Sequence, residues 1–354
     1  AEVPPAPPGG RDDALEVTFA ELRRFLHSPL QETARRAGLA ERAEADDAAT
    51  EPLEVSRLDL AVLLRDVFVR GWNAAVERGG ELEPALVAAH DALLEREERL
   101  GRRVPTRAFL AAARRAQREV LRAWGLNLRG RLEAGERQRP LRHLRLGGVA
   151  SPGAPDEVAP ALELPVALPV ELPGDLARRV TVRVTGRLPL LLADRSASVS
   201  LGTSPGWSEA PFVEGALAHV VLAAAGLRDQ APFRAFHVCP EWQRAPWKPA
   251  PLAAVDPAAA RAHLADLVCD LLVGQWTLLP LEAVLAFQSK GLPSLRDKVL
   301  ELRDAEFGRG SFRYGPLGRP GDFAPPDEAT ARALAARRLG LYRALRTQAE
   351  EAGA

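Results

Sequence analysis

Arg107, Arg114, Arg118, Arg122 and Arg129 recur at spacings that place them on one face of a helix, and their type fits one chemistry. A row of guanidiniums tracks a charged groove and holds phosphate oxygens, so these residues are candidate DNA contacts. The same row also reads as a solvated helix face or as a surface that docks an acidic partner. A second candidate is Arg309-Gly-Ser-Phe-Arg-Tyr314, whose mixture of Arg, Gly and aromatic residues suits single-stranded nucleic acid and equally suits a plain surface loop. Other chemistries find little support. His27, His90, His143, His219, His237 and His263 do not pair at metal-ligand spacing, and Cys239 and Cys269 lie far apart without a Cys-x-x-Cys, so no metal and no cofactor is expected. No Gly-rich loop leads into a Lys-Ser/Thr pair, and Ser204-Pro-Gly-Trp-Ser208 is not a nucleophile elbow.

The elements that must position these residues follow from periodicity. Thr18 caps a helix with Glu21 at its third position, Val17 is placed to staple onto Leu22, and Ser28-Pro29 ends this helix and starts the next, which runs to about Arg36. After an acidic loop, Ser56 caps a helix whose Leu60, Leu63, Leu64, Val67, Phe68 and Trp72 face a core, and another helix spans roughly Pro84 to Leu100. In the helix opened by Thr106, Phe109, Ala113, Ala116, Val120 and Trp124 share one face and the arginine row is expected on the opposite one. From about Arg139 the texture becomes strand-like. Leu141 to Val149 and Leu162 to Leu172 flank a Pro/Gly-rich stretch, and Pro165 and Pro169 point to edge strands. Helices at Ser208 to Ala225, Asp256 to Gln275, Leu281 to Phe287, Leu295 to Arg303 and Asp327 to about Glu350, with a strand at Phe233 to Val238, complete an α/β chain. We divide it into a linker at 1–14, a helical portion at 15–137 and a core at 138–354. Lys+Arg 47 balance Asp+Glu 47, so any nucleic-acid contact must come from local patches. No apolar run reaches membrane-spanning length, and a cytoplasmic setting fits the cysteine usage. The Pro-rich start reads as an interdomain linker, and the chain, which contains no Met, as a piece of a longer one.

The centre of the chain is the stretch Thr181 to Asp194 followed by Ser196 to Leu201. Val180, Val182 and Val184 alternate with polar residues, Gly186 interrupts, and Leu188 to Leu192 continue as a buried strand that forms a hairpin with the next. A hairpin with a glycine, bracketed by helices, resembles the restriction-endonuclease-like nuclease core, a mixed sheet flanked by helices. In active members an Asp follows the glycine, the next strand carries Asp or Glu one residue before Lys, and a nearby helix shows Gln and Tyr. Carboxylates hold Mg²⁺ while the Lys steadies water or phosphate. Here Gly186 is followed by Pro189 at the Asp position, the next strand offers Ser198 and Ser200, and Phe212, Glu214 and Ala216 occupy the helix. The resemblance makes Gly186, Pro189, Ser198 and Ser200 degenerate active-site positions. Carboxylates at Glu171, Asp175, Asp194 and Glu209 leave open a relocated metal site.

Taken in order, Val17 to Pro29, Thr185-Gly-Arg-Leu-Pro189, Pro251-Leu-Ala-Ala254 and Gly274-Gln-Trp-Thr-Leu-Leu-Pro280 resemble the C-terminal, nuclease-like domain of the RecC family, the gamma chain of exodeoxyribonuclease V. The resemblance implies a non-catalytic domain with a helical N-terminal portion. It also implies assembly with a helicase-nuclease subunit and a second helicase subunit in double-strand-break repair by homologous recombination, where the domain guides DNA. Two other readings remain open at this point: an active metal-dependent exonuclease with relocated ligands, and a pure protein-interaction module.

Overall fold

The computed structural model describes residues 15–39, 57–99, 107–148, 156–169, 178–203, 210–240, 250–308 and 324–353. The α/β expectation holds: the described residues form ten α-helices and one open, mixed sheet of eight strands. The first element is β1 (Leu15–Thr18), leading into α1 (Phe19–His27) and α2 (Pro29–Arg36). The Thr18 and Glu21 side chains cap each other's backbone as their spacing predicts, with Thr18 N to Glu21 Oε2 at 2.7 Å and Glu21 N to Thr18 Oγ1 at 3.2 Å. Val17 belongs to a strand rather than to a helix approach, because its period-two neighbours pair in parallel with a longer strand downstream.

Three helices follow, α3 (Arg57–Arg78), α4 (Leu82–Arg99) and α5 (Arg107–Arg131), and then the sheet strands β2 (Leu141–Leu146), β3 (Asp156–Ala159), β4 (Leu162–Leu168), β5 (Arg178–Leu192) and β6 (Ala197–Leu201). The remainder is α6 (Ala210–Ala224), β7 (Phe233–Val238), β8 (Ala250–Leu252), α7 (Pro257–Val273), α8 (Leu281–Lys290), α9 (Leu295–Gly308) and α10 (Glu328–Gly353). The short strands β3 and β8 were not expected. β3 falls in the Pro/Gly-rich stretch and is held by parallel pairing to β2, a partner that local sequence does not announce. β4 pairs with β5 alone among the described strands, as its Pro165 requires.

Strand β5 carries the sheet. Its first half lies between β1 and β4, its second half between β2 and β6, and the predicted hairpin is its antiparallel pairing with β6 through Leu190↔Val199 and Leu191↔Ser198. Gly186 does not end the strand. It sits at φ +100°, a conformation that residues with a Cβ rarely adopt, where the strand passes the β1–α1 junction. Three residues on, the register against β2 shifts: Arg145 faces Arg187 but His143 faces Leu190, so Leu188 and Pro189 together oppose Leu144. This β-bulge reverses the alternation of side chains. Val182, Val184, Leu188 and Leu191 enter one core, while Leu190 and Leu192 enter another.

The first core lies between the sheet, α1, α2, α6, α7 and the C-terminal helices, and the second between the other sheet face and α3, α4 and α5. Helix α6 approaches β6 and β7 closely at Gly215, where a Cβ would stand 2.6 Å from both Ala235 Cβ and Ser198 Oγ. We therefore expect Gly186→Ala and Gly215→Ala each to lower stability by about 1–3 kcal/mol, through backbone strain and overpacking respectively. Gly130→Ala in α5, where nothing lies within 4 Å, should be neutral or stabilising. Thermal unfolding of the three variants checks the ranking.

Candidate functional site

Pro189, Ser198 and Ser200, drawn from β5 and β6, converge on a pocket of about 270 Å³ closed by the start of α1, by Arg65 and Val69 of α3, by His143 of β2 and by Pro211 and Glu214 of α6. Gly186 is not among its lining residues; its part is the positive-φ passage of β5 by the β1–α1 junction. Ser198 is 3% exposed and packed under Gly215, whereas Ser200 is half-buried at the pocket wall.

Three guanidiniums give the pocket its character. Arg23 Nη1 meets Glu214 Oε1 at 3.0 Å, and Arg187 Nη2 meets Asp156 Oδ1 at 2.9 Å. Arg65 differs: its Nε and Nη2 donate to the Leu201 carbonyl oxygen at 3.1 and 2.9 Å, and among the described residues no carboxylate pairs with it. Burial pulls the Arg65 guanidinium below its usual range, with Glu214 acting in the opposite direction. His143 is pushed down to about 4 by burial and by the neighbouring Arg187, although its Nδ1 donates to the Leu188 carbonyl oxygen at 3.3 Å. The imidazole is thus neutral at pH 7, and the pocket is lined by three guanidiniums and the Glu214 carboxylate, with Asp156 pairing Arg187 from outside the lining.

Sequence reasoning reached Pro189, Ser198, Ser200 and Glu214 but missed Arg23, Arg65 and Arg187, which stand singly on three elements and form no motif. One signal was available: Arg65, itself exposed, directly follows the buried Leu64 and precedes the buried Phe68 and Val69 by about one helical turn.

The arginine row on α5 does not lie opposite the buried face. Ala116 is exposed, while Gln117, Leu121, Trp124, Asn127 and Leu128 are buried, so the core-facing arc is rotated toward the arginines. The cause is α4, which packs along that flank and supplies His90 to hydrogen-bond Gln117 at 2.8 Å. Arg114, Arg118 and Arg122 consequently line a groove between α4 and α5, together with Arg115. Two of them meet α4 carboxylates, Arg118 with Asp91 at 2.6 Å and Arg122 with Glu83 at 3.5 Å. Arg129 is exposed but lines a separate cleft beside Trp72 and Arg137. Of Arg107 only the helical backbone is described.

Of the alternative carboxylates, Asp194 is taken up by the β5–β6 turn, where it accepts hydrogen bonds from Ser196 and pairs with Arg139. Glu171, Asp175 and Glu209, the loop Arg309 to Tyr314, the linker 1–14 and the caps Ser56 and Thr106 lie outside the described residues. Among the described residues no three His, Cys, Asp or Glu side chains stand close enough to share a metal ion, and no helix is long and apolar enough to cross a membrane.

The histidines yield a prediction. His143, His219 and His263 all have folded values near 4, below the usual 6.5, chiefly because burial disfavours their charged form. The unfolded chain then binds more protons between pH 6.5 and 4. The stability these histidines contribute is complete above about pH 6.5 and lost as pH falls toward 4. Replacing His143 with Gln should flatten this acid loss, as read from denaturant midpoints across that range. Compared with family models and with curated protein sequences, the chain gives no significant match.

Proposed function

We propose that the chain is the non-catalytic, nuclease-like C-terminal domain of a RecC-type gamma subunit. In this reading the sheet is restriction-endonuclease-like, and the domain works in the cytoplasm within a helicase-nuclease for double-strand-break repair. It guides DNA strands and docks the helicase-nuclease subunit and the second helicase subunit. The observation that carries the reading is the chemistry of the β5–β6 pocket. Where metal-dependent phosphodiester hydrolysis needs carboxylates and a Lys, the pocket presents Pro189, Ser198 and Ser200 facing arginines. The groove beside α5 supports DNA contact, because Arg114 and Arg115 line it and among the described residues neither is salt-bridged to a carboxylate.

The test is incubation of the purified chain with end-labelled linear and forked DNA, with and without Mg²⁺ or Mn²⁺, reading cleavage and retention together. Retention without cutting is expected, with affinity falling linearly in log salt. Exchanging Arg114 and Arg115 for Ala should weaken retention and reduce the salt slope by about one for each phosphate that an arginine no longer neutralises. Metal-dependent cutting that survives stringent purification would replace this reading with an exonuclease whose ligands are sought at Asp175, Asp194 and Glu209.

A further inference from the structure

We propose that the pocket between α1, α3, α6 and the β5–β6 hairpin seats a phosphate group of a nucleic-acid strand and holds it without hydrolysing it. The inference deepens the DNA-guiding reading and rests on it only for where the phosphate comes from. Size favours a small group. At about 270 Å³ the pocket is below the roughly 300–1,000 Å³ of sites that enclose whole drug-sized ligands, so it suits a phosphodiester with its flanking sugar edges.

Charge favours an anion. Arg23, Arg65 and Arg187 line the pocket with Glu214 as its lining carboxylate; with Arg187 also paired to Asp156 beyond the lining, one positive charge stays in excess, and a phosphodiester carries one negative charge. Arg65 is the anchor. Two of its N–H groups are fixed on the Leu201 carbonyl oxygen, which sets the plane of the guanidinium and leaves the rest of its donor fork for an oxyanion. Arg23 already holds an oxyanion, the Glu214 carboxylate at 3.0 Å, so its geometry for a phosphate oxygen is in place once that carboxylate swings aside. Glu214 is 22% exposed, which gives it room to move. Ser200 adds a hydroxyl donor at the wall. Glu214 therefore acts as an internal competitor: removing its charge should strengthen binding, whereas removing a ligand of a metal site would weaken it.

The experiment uses the chain with two probes. Inorganic phosphate is titrated against chloride at matched ionic strength while the thermal midpoint is followed, and a labelled single-stranded oligonucleotide is followed by anisotropy. Phosphate is expected to raise the midpoint. Arg65→Met should weaken apparent phosphate affinity at least fivefold and Glu214→Gln should tighten it at least threefold, and the oligonucleotide should move in the same directions. If Arg65→Met folds poorly, Arg65→Lys and Glu214→Gln still carry the sign. Absence of any phosphate-specific midpoint rise, or weaker phosphate binding by Glu214→Gln, overturns the inference. Oligonucleotide binding that responds to Arg114 and Arg115 but not to Arg65 or Glu214 overturns it while leaving DNA guidance standing. Phosphate seated through Arg65 with no oligonucleotide bound leaves a bare anion site and overturns both the nucleic-acid source of the phosphate and DNA guidance by this chain.

Discussion

A single extra residue in β5 lets one strand serve two cores. Strand side chains alternate with period two, so without the bulge at Leu188 and Pro189 the leucines at 188, 190 and 192 would all point to the same side. With it, Leu188 and Leu191 pack under α6 while Leu190 and Leu192 pack under α3 and α5. Full burial of a leucine contributes roughly 1.5–3 kcal/mol, so a register that misdirected Leu190 and Leu192 would cost several kcal/mol. Proline suits the place because a bulge leaves a residue outside the ladder, and Pro189 has no N–H to leave unpaired.

The helical layer must then be set at one angle on the sheet, and apolar packing alone does not supply direction. Polar side chains do. Trp72 Nε1 donates to the Arg139 carbonyl at 3.0 Å, Asn73 exchanges two hydrogen bonds with the Leu141 backbone, and Trp124 Nε1 donates to the Gly202 carbonyl at 2.9 Å. Asn127 and Arg131 reach the Cys239 and His237 carbonyls at 2.8 Å. Each acceptor lies at or beside a strand end, and for the buried Leu141 and Cys239 a backbone group left without a partner would cost about 1–3 kcal/mol. The same device fixes Arg65 on Leu201, so the geometry of the pocket follows from how α3 is docked.

What the sequence disclosed follows from the range of each interaction. The Thr18–Glu21 cap, the helix-break-helix at Ser28-Pro29 and the β5–β6 hairpin are local, and their residue spacing announces them. The parallel pairing of β1 depends on a partner far along the chain, and β3 on a parallel pairing with β2 that no hairpin turn announces, so neither left a local trace. The face of α5 was misplaced because burial there includes Gln117 and Asn127, polar residues satisfied by His90 and by the Cys239 carbonyl. Hydrophobic periodicity does not count such residues as core. Pro189 was singled out by the nuclease-like resemblance but not as a bulge, since the bulge exists only relative to β2.

In the proposed nuclease-like reading, the residues of the β5–β6 hairpin and the arginines around it belong to one electrostatic arrangement. A site for Mg²⁺ needs a surplus of negative oxygen ligands, and three guanidiniums lining one small pocket oppose a divalent cation there. Restoring an Asp at position 189 would therefore not by itself rebuild a metal site. It would set a carboxylate among Arg23, Arg65 and Arg187, where the favoured outcome is another ion pair like that of Arg23 with Glu214. It would also return an N–H to the bulge that proline keeps free of one. In the proposed reading, Pro and Ser where a nuclease would need carboxylates and the guanidiniums beside them act in the same electrostatic direction, favouring a phosphate over a divalent cation.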